Sequence, residues 1–555
     1  MRRGLLTLLA MSVVAVVVLS LVAVRLAAQT AKAAAGKVPA QRAGARAPGA
    51  PVGCADLTKL TFEGNTTITA ATSVAGGTFM TPAGQTLTGL PAFCRVVGVS
   101  RPTSDSNINF EVWLPSDSWN GKFLSSGEGG FAGTINYTRS GLDGGLDELI
   151  RRGYASASTD TGHLSTDTNW AIGHPEKVID YAHRSKHLVT VAAKGLIAAF
   201  YGRPAAHSYF NSCSNGGRQA LMEAQRYPED YDGLVVGAPW NYQSHSNAGF
   251  VWDAQTLSAP GAAIPASKLP AIHAAAIAAC DAADGLADNL IEDPGRCSFK
   301  PETLLCKGAD NDSCLTAPQV TALKKLYEGP RHPRTGASIF PGWAKGSELG
   351  WTRLVSSGNF GNLGRGYFGN LVFEKPDWDY RSFDFDTHLA LAESKVGKLG
   401  DAVNPDLSAA RRRGVKIIQY HGWNDAVLQP AYSPEYYQRV AAAMGGLDET
   451  RDFFRLFMVP GMAHCYSGPG ANSFGGVGQQ IPPTRDAVHD VQIALENWVE
   501  RRKAPDQFIA TKYADDSPQT RQVQFTRLLC PYPMVARYKK SGDSNDARNF
   551  TCVKP

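Results

Sequence analysis

None of the 10 cysteines belongs to a Cys-x-x-Cys pair, which argues against a zinc ribbon and against a thioredoxin-like redox centre. Excess charge is also scarce. A net +5 over 555 residues, with lysine and arginine scattered apart from Arg411-Arg412-Arg413, leaves no basic stripe for nucleic acid. A dinucleotide fingerprint is missing too, since no acidic residue follows a G-x-G-x-x-G turn at the right distance in a βαβ unit. With 43% hydrophobic and 19% charged residues, the chain can instead bury a large core and divide into two domains.

The chain begins Met-Arg-Arg, followed by an apolar stretch from Leu5 to Val24 and then by small residues such as Ala27-Ala28. That order describes an export signal over residues 1–28. The run also approaches the length of a bilayer span, so an uncleaved membrane anchor is the alternative. Residues 29–53, rich in Ala, Gly, Pro and basic side chains, are expected to be a disordered spacer. An even number of cysteines on an exported chain points to disulfides, and the location expected is secreted or periplasmic.

The chemistry concentrates at Tyr209–Glu223, which predicts a strand end, a cramped turn and a helix start. A nucleophile elbow needs small residues two before and two after its serine, because strand and helix nearly touch there. Around Ser214 these are Ser212 and Gly216. The helix formers from Arg218 to Met222 would aim the first free N–H groups back at the serine. Two later segments supply partners. The β-rich run Val415–Tyr420 empties into His421-Gly422-Trp423-Asn424-Asp425, and Phe457-Met458-Val459-Pro460 leads to Gly461-Met462-Ala463-His464-Cys465. Ser, Asp, His is the chain order of α/β-hydrolases. Ser214 is therefore the candidate nucleophile, His464 its base and Asp425 the acid that fixes the base's tautomer. If the serine and the histidine meet, their neighbours Cys213 and Cys465 must also come within disulfide reach.

Alternation of strands and helices on both sides of the elbow predicts a doubly wound mixed α/β sheet, with an antiparallel start in residues 54–120. Residues 54–240 and 405–555 form the expected catalytic domain. From 241 to 404 the alternation stops, and an insertion that long reads as a lid domain. Its aromatics, Trp343, Trp351, Phe360, Tyr367, Phe368, Phe373, Trp378 and Tyr380, suit a planar ring, although most are expected to pack its core. The strand Lys122–Ser125 feeds the loop Gly127-Glu128-Gly129-Gly130, so the Gly129 or Gly130 amide together with that of Asn215 are the candidate oxyanion donors. Other acids and histidines compete weakly. Asp160 breaks the chain order, Asp452 precedes its strand, and His163, His174, His183, His187 and His421 lack a neighbouring cysteine to pair with Cys213.

The Cys-Ser…Asp…His-Cys arrangement resembles the tannase and feruloyl esterase family, which includes the related terephthalate monoester hydrolases. Tyr181–Phe200, Gln225–Asn241 and Pro460–Pro469 share the likeness, which runs from Cys54 to the C-terminus. Ser212 departs from the family's usual glycine before the Cys-Ser pair. The resemblance implies a serine esterase for small aromatic acid esters, found on plant polysaccharides or polyphenols, with no nucleic-acid partner. Lid arginines such as Arg353, Arg365 or Arg381 could pair with a substrate carboxylate. It further implies the pairs Cys54–Cys94, Cys213–Cys465, Cys280–Cys297, Cys306–Cys314 and Cys530–Cys552. Asp281, Asp284 and Asp288, with the carbonyls of Leu286 and Leu290, resemble the family's loop for a structural Ca2+. A serine peptidase of the same fold, or an exported calcium-stabilised binding protein, are the rival expectations.

Overall fold

Ten strands form one mixed sheet in the computed structural model, which describes residues 49–138, 144–356, 363–516 and 521–555. The expected export signal and nearly all of the spacer lie outside those residues, as does Phe360. The strands are β1 (Thr61–Phe62), β2 (Thr66–Val74), β3 (Phe93–Ser100), β4 (Ile108–Pro115), β5 (Lys122–Ser125), β6 (Ala155–Thr159), β7 (His207–Cys213), β8 (Gly233–Gly237), β9 (Lys416–Gly422) and β10 (Phe454–Val459). Their spatial order is β1-β2-β3-β4-β6-β5-β7-β8-β9-β10. The first four and their junction to β6 are antiparallel, and the ladder from β6 to β10 is parallel.

Parallel strands need cover on both faces, which explains why β8 (Gly-Leu-Val-Val-Gly) is buried throughout. Successive side chains serve opposite layers. Phe210, Leu234, Val236 and Ile417 join the core beneath helix α1 (Ser185–Tyr201), together with Ala220 and Leu221 of α2 (Asn215–Arg226). Tyr209, Val235 and Ile418 pack on the other face, against Leu495 and Trp498 of the closing helix. That helix spans Val491–Arg501. Asp490 fixes its start, because its carboxylate accepts the Gln492 and Ile493 amides as an N-cap.

No described residue between Gly237 and Lys416 adds a strand to the sheet. This insertion is built on α3 (Gln243–Ser258) and the helices Leu269–Cys280 and Ala317–Glu328. Its core gathers Phe250, Ile272, Leu323, Trp343 and Trp351, and continues into Trp240, Ala426 and Leu428 of the sheet domain. Tyr367, Phe368 and Tyr380 are buried as well, so these aromatics serve packing. Arg381 pairs with Asp379, and the Arg365 guanidinium lies 5.3 Å from the Tyr380 ring centre.

Five disulfides join the pairs 54–94, 213–465, 280–297, 306–314 and 530–552. Five such bonds suit an oxidising compartment. No helix among the described residues is long and apolar enough to cross a membrane. Beyond β10 the chain forms two small antiparallel pairs, Phe508–Tyr513 with Val523–Leu529 and Val535–Tyr538 with Phe550–Val553. Pro531 makes a bridge with Phe457 of the edge strand β10.

Candidate active site

The glycine-rich loop, the elbow, the acid loop and the histidine loop follow β5, β7, β9 and β10, all at the carboxyl ends of parallel strands where open α/β sheets bind ligands. Ser214 sits between β7 and α2 with φ +62° and ψ −127°, a conformation that costs an L-residue about 1–3 kcal/mol. Surrounding contacts hold it there. The Ser214 amide donates to Gly237 O (3.0 Å), and its carbonyl accepts from Trp240 N (2.9 Å) and Arg218 N (3.1 Å). Crowding explains the small residues. A Cβ on Gly216 would stand 1.9 Å from Ser212 Oγ, and one on Gly127 would stand 2.5 Å from the Gly216 Cα.

Asp425 and His464 meet directly, His464 Nδ1 lying 2.6 Å from Asp425 Oδ2. Asp425 Oδ1 accepts the amides of Val427 (2.7 Å) and Leu428 (2.8 Å). Burial would raise this carboxyl, but the facing His464 and the hydrogen bonds from His421 and His464 outweigh it and hold the group far below the usual carboxylate range. The Cys213–Cys465 bond brings the residues flanking Ser214 and His464 to a Cα separation of 6.0 Å. His464 Nε2 is buried with no hydrogen-bond partner among the described residues, which leaves it open to a proton donor. Catalytic hydrogen bonds commonly close only when substrate binds.

Glu128 fastens the glycine-rich loop to the elbow helix. Its amide donates to Gln219 Oε1 (3.1 Å), its carbonyl accepts Asn215 Nδ2 (3.0 Å), and its carboxylate receives Gln219 Nε2 (2.9 Å) and Lys186 Nζ. The Gly129 and Gly130 amides have no partner among the described residues, and Gly130 adopts φ +56°. Arg218, fully buried, donates from Nε to Asn215 Oδ1 at 2.7 Å and so anchors the residue after the serine.

The competing groups are engaged elsewhere. Asp160 accepts from Asn109 and Gly162, and His163 contacts the Phe131 carbonyl at 2.8 Å. His174, His183 and His187 face Asp105, Tyr227 and Asp230. His421 is different: its Nε2 lies 3.0 Å from Asp425 Oδ2, a contact that nothing in the sequence except their separation of four residues hints at. The Lys186–Glu128–Gln219 cluster was equally hidden, because its members come from three separate segments.

In the aspartate loop, Asp281 accepts the amides of Asp288, Asn289 and Leu290 at 3.0–3.2 Å, and Asp288 pairs with Arg527 at 2.6 Å. The Leu286 and Leu290 carbonyls accept no hydrogen bond from described residues. Asp284, Leu286 and Leu290 line a cavity of about 20 Å³. Cys280 and Cys297 are bonded to each other, so the donors at hand are all oxygen, the kind a hard cation such as Ca2+ takes, although the Asp281, Asp284 and Asp288 carboxylates do not converge on one point.

A mixed sheet with a strained serine elbow, and with Asp425 and His464 at the ends of later strands, defines an α/β-hydrolase. The tannase and feruloyl esterase family matches residues 94–553, and the chain belongs to it; it is a carboxylic ester hydrolase. The chain is 42% identical over 536 residues to an uncharacterised esterase of Xanthomonas campestris pv. campestris, covering 91% of this chain and 92% of that one. It is 32% identical over 547 residues to the mono(2-hydroxyethyl) terephthalate hydrolase of Piscinibacter sakaiensis, covering 85% and 87%. The crystal structure of feruloyl esterase B from Aspergillus oryzae superposes with a TM-score of 0.81 at 29% identity, over 89% of this chain and 98% of that one.

Proposed function

We propose that the protein is an exported serine esterase acting on small esters of aromatic acids, feruloyl, galloyl or terephthaloyl, through an acyl-enzyme. The observation that carries the reading is the buried, unpartnered Nε2 of a histidine whose Nδ1 is held by Asp425, with its neighbour bonded to the residue before Ser214. His464 Nε2 takes the Ser214 proton as Oγ attacks the ester carbonyl. Amides of Asn215 and of Gly129 or Gly130 receive the oxyanion. The proton passes to the departing alcohol. Water, deprotonated by the same nitrogen, then releases the acid and restores the serine.

The substrate class rests on the relatives: one bears the name of a feruloyl esterase, another of a terephthalate monoester hydrolase. The 241–404 insertion, whose core is continuous with Ala426 and Leu428 beside Asp425, would act as the lid over that substrate. Ca2+ would be held by Asp281, Asp284, Asp288 and the Leu286 and Leu290 carbonyls, supplying rigidity to the lid and no chemistry. The N-terminal apolar stretch, read as a cleaved signal, supports export to the periplasm or medium. The test is a panel of methyl ferulate, methyl gallate and a terephthalate monoester, run beside fluorophosphonate labelling. Labelling lost in Ser214→Ala and hydrolysis of at least one ester are expected; a fully active Ser214→Ala would overturn the reading.

A further inference from the structure

Asp425 serves two histidines, and only one of them has a part in the mechanism above. Both approach the same oxygen: His464 Nδ1 at 2.6 Å and His421 Nε2 at 3.0 Å from Oδ2. With the Val427 and Leu428 amides on Oδ1, the carboxylate receives four donors, which fills its lone-pair sites. His421 is 2% exposed and Asp425 is 0% exposed, so water cannot replace a missing donor cheaply.

A chain of side chains behind His421 assigns its proton. Gln419 Nε2 donates to Ser433 Oγ (2.8 Å), and Ser433 Oγ lies 2.7 Å from His421 Nδ1. The hydroxyl oxygen accepts that amide hydrogen and keeps its own hydrogen to give to Nδ1. That leaves the imidazole proton on Nε2, aimed at Asp425. The other tautomer would set the Nε2 lone pair against the carboxylate's. Every donor then has an acceptor, and no cation is needed.

We infer that His421 is a positioning residue for the reaction: donating to the oxygen that also holds His464, it fixes the Asp425 carboxylate, and through it the ring that serves Ser214. The inference rests on the triad reading above. His421 touches no reacting atom. Its effect passes through Asp425, which without it could turn its Oδ2 away from His464 Nδ1.

The experiment compares His421→Leu, His421→Gln, Ser433→Ala and Ser214→Ala on a hydrolysed ester, with the low-field proton resonance of His464 Nδ1–H as a second readout. His421→Leu should lower kcat about 10- to 100-fold with KM within about twofold, the pattern of a lost transition-state arrangement. Fluorophosphonate labelling should slow in step. His421→Gln returns an N–H at the same reach and should recover most of kcat and the wild-type resonance. Ser433→Ala, which removes only a hydroxyl and releases the tautomer, should give a smaller loss and a displaced resonance. It decides the matter if His421→Leu does not fold. Wild-type kcat and an unmoved resonance in His421→Leu, or in Ser433→Ala where that variant decides, would overturn the inference. So would a glutamine variant no better than the leucine one. An active Ser214→Ala would instead strike the triad reading, so the two failures are separable.

Discussion

Lys186 and Glu128, 3% and 2% exposed, form a buried ion pair that grips the glycine-rich loop, the same ammonium also donating to Ser126 O at 2.7 Å. Gln219 ties that carboxylate to the elbow helix. Replacing Lys186 by Met removes the countercharge from a buried carboxylate and should cost about 3–5 kcal/mol in a urea titration. Gln219→Leu removes only the tie. It should lower kcat about tenfold with little change in KM, since the loop's amides matter most once the oxyanion forms.

The Cys213–Cys465 bond closes a span of 252 residues, for which chain entropy alone gives up to about 5 kcal/mol. Its second effect is local. Graded reductant should abolish esterase activity at concentrations where far-UV circular dichroism is unchanged. Activity and ellipticity lost together would mean that the bond stabilises the fold without aligning the site.

Acid sensitivity should be traceable to His163. Burial pushes its imidazole down to about 4, while its hydrogen bond to the Phe131 carbonyl opposes the shift. The native state therefore binds fewer protons than the unfolded chain between about 4 and about 6.5, and stability falls as pH falls through that window. Asp160, raised by burial to about 6, acts in the opposite sense over part of the same range. His163→Gln keeps a donor for Phe131 and cannot charge. Denaturant titrations at pH 7 and pH 4.5 should show a smaller drop than wild type, by up to about 1.4 kcal/mol per pH unit.

Space at the elbow gives a compensation test. Gly216→Ala meets Ser212 Oγ at 1.9 Å and Ser212 Cβ at 2.7 Å, whereas Gly127 Cα stands off at 3.2 Å. The single variant should be poorly folded. Adding Ser212→Gly should restore part of the soluble yield and activity, which would show that the serine in this slot sets the limit.

Chelation addresses the aspartate loop. If Ca2+ is bound there, EGTA should lower Tm by several degrees and Ca2+, but not Mg2+, should restore it, because the larger ion tolerates irregular oxygen cages. Asp284→Asn should reproduce the loss, and an unchanged Tm in both would remove the ion from the account.

Much of the parallel half of the sheet was legible because β-prone runs such as Lys416–Gly422 and Phe454–Val459 end in turns with distinctive residues. The elbow was legible because crowding restricts positions 212 and 216 to small side chains. His421 was not, since a buried histidine and a surface one look alike until the fold sets Ser433 and Asp425 against its two nitrogens. Nor was the Glu128 tie, whose partners lie 58 and 91 residues away.

The bridge from Pro531 to Phe457, and the ion pair from Arg527 to Asp288, give the last thirty residues two duties at once. They blunt the outermost rung of the sheet and brace the loop of the insertion. A truncation ahead of Cys530 would remove the Pro531 bridge to Phe457 and the Tyr532 amide from the Leu456 carbonyl, leaving that stretch of the outer strand open to pairing with another chain.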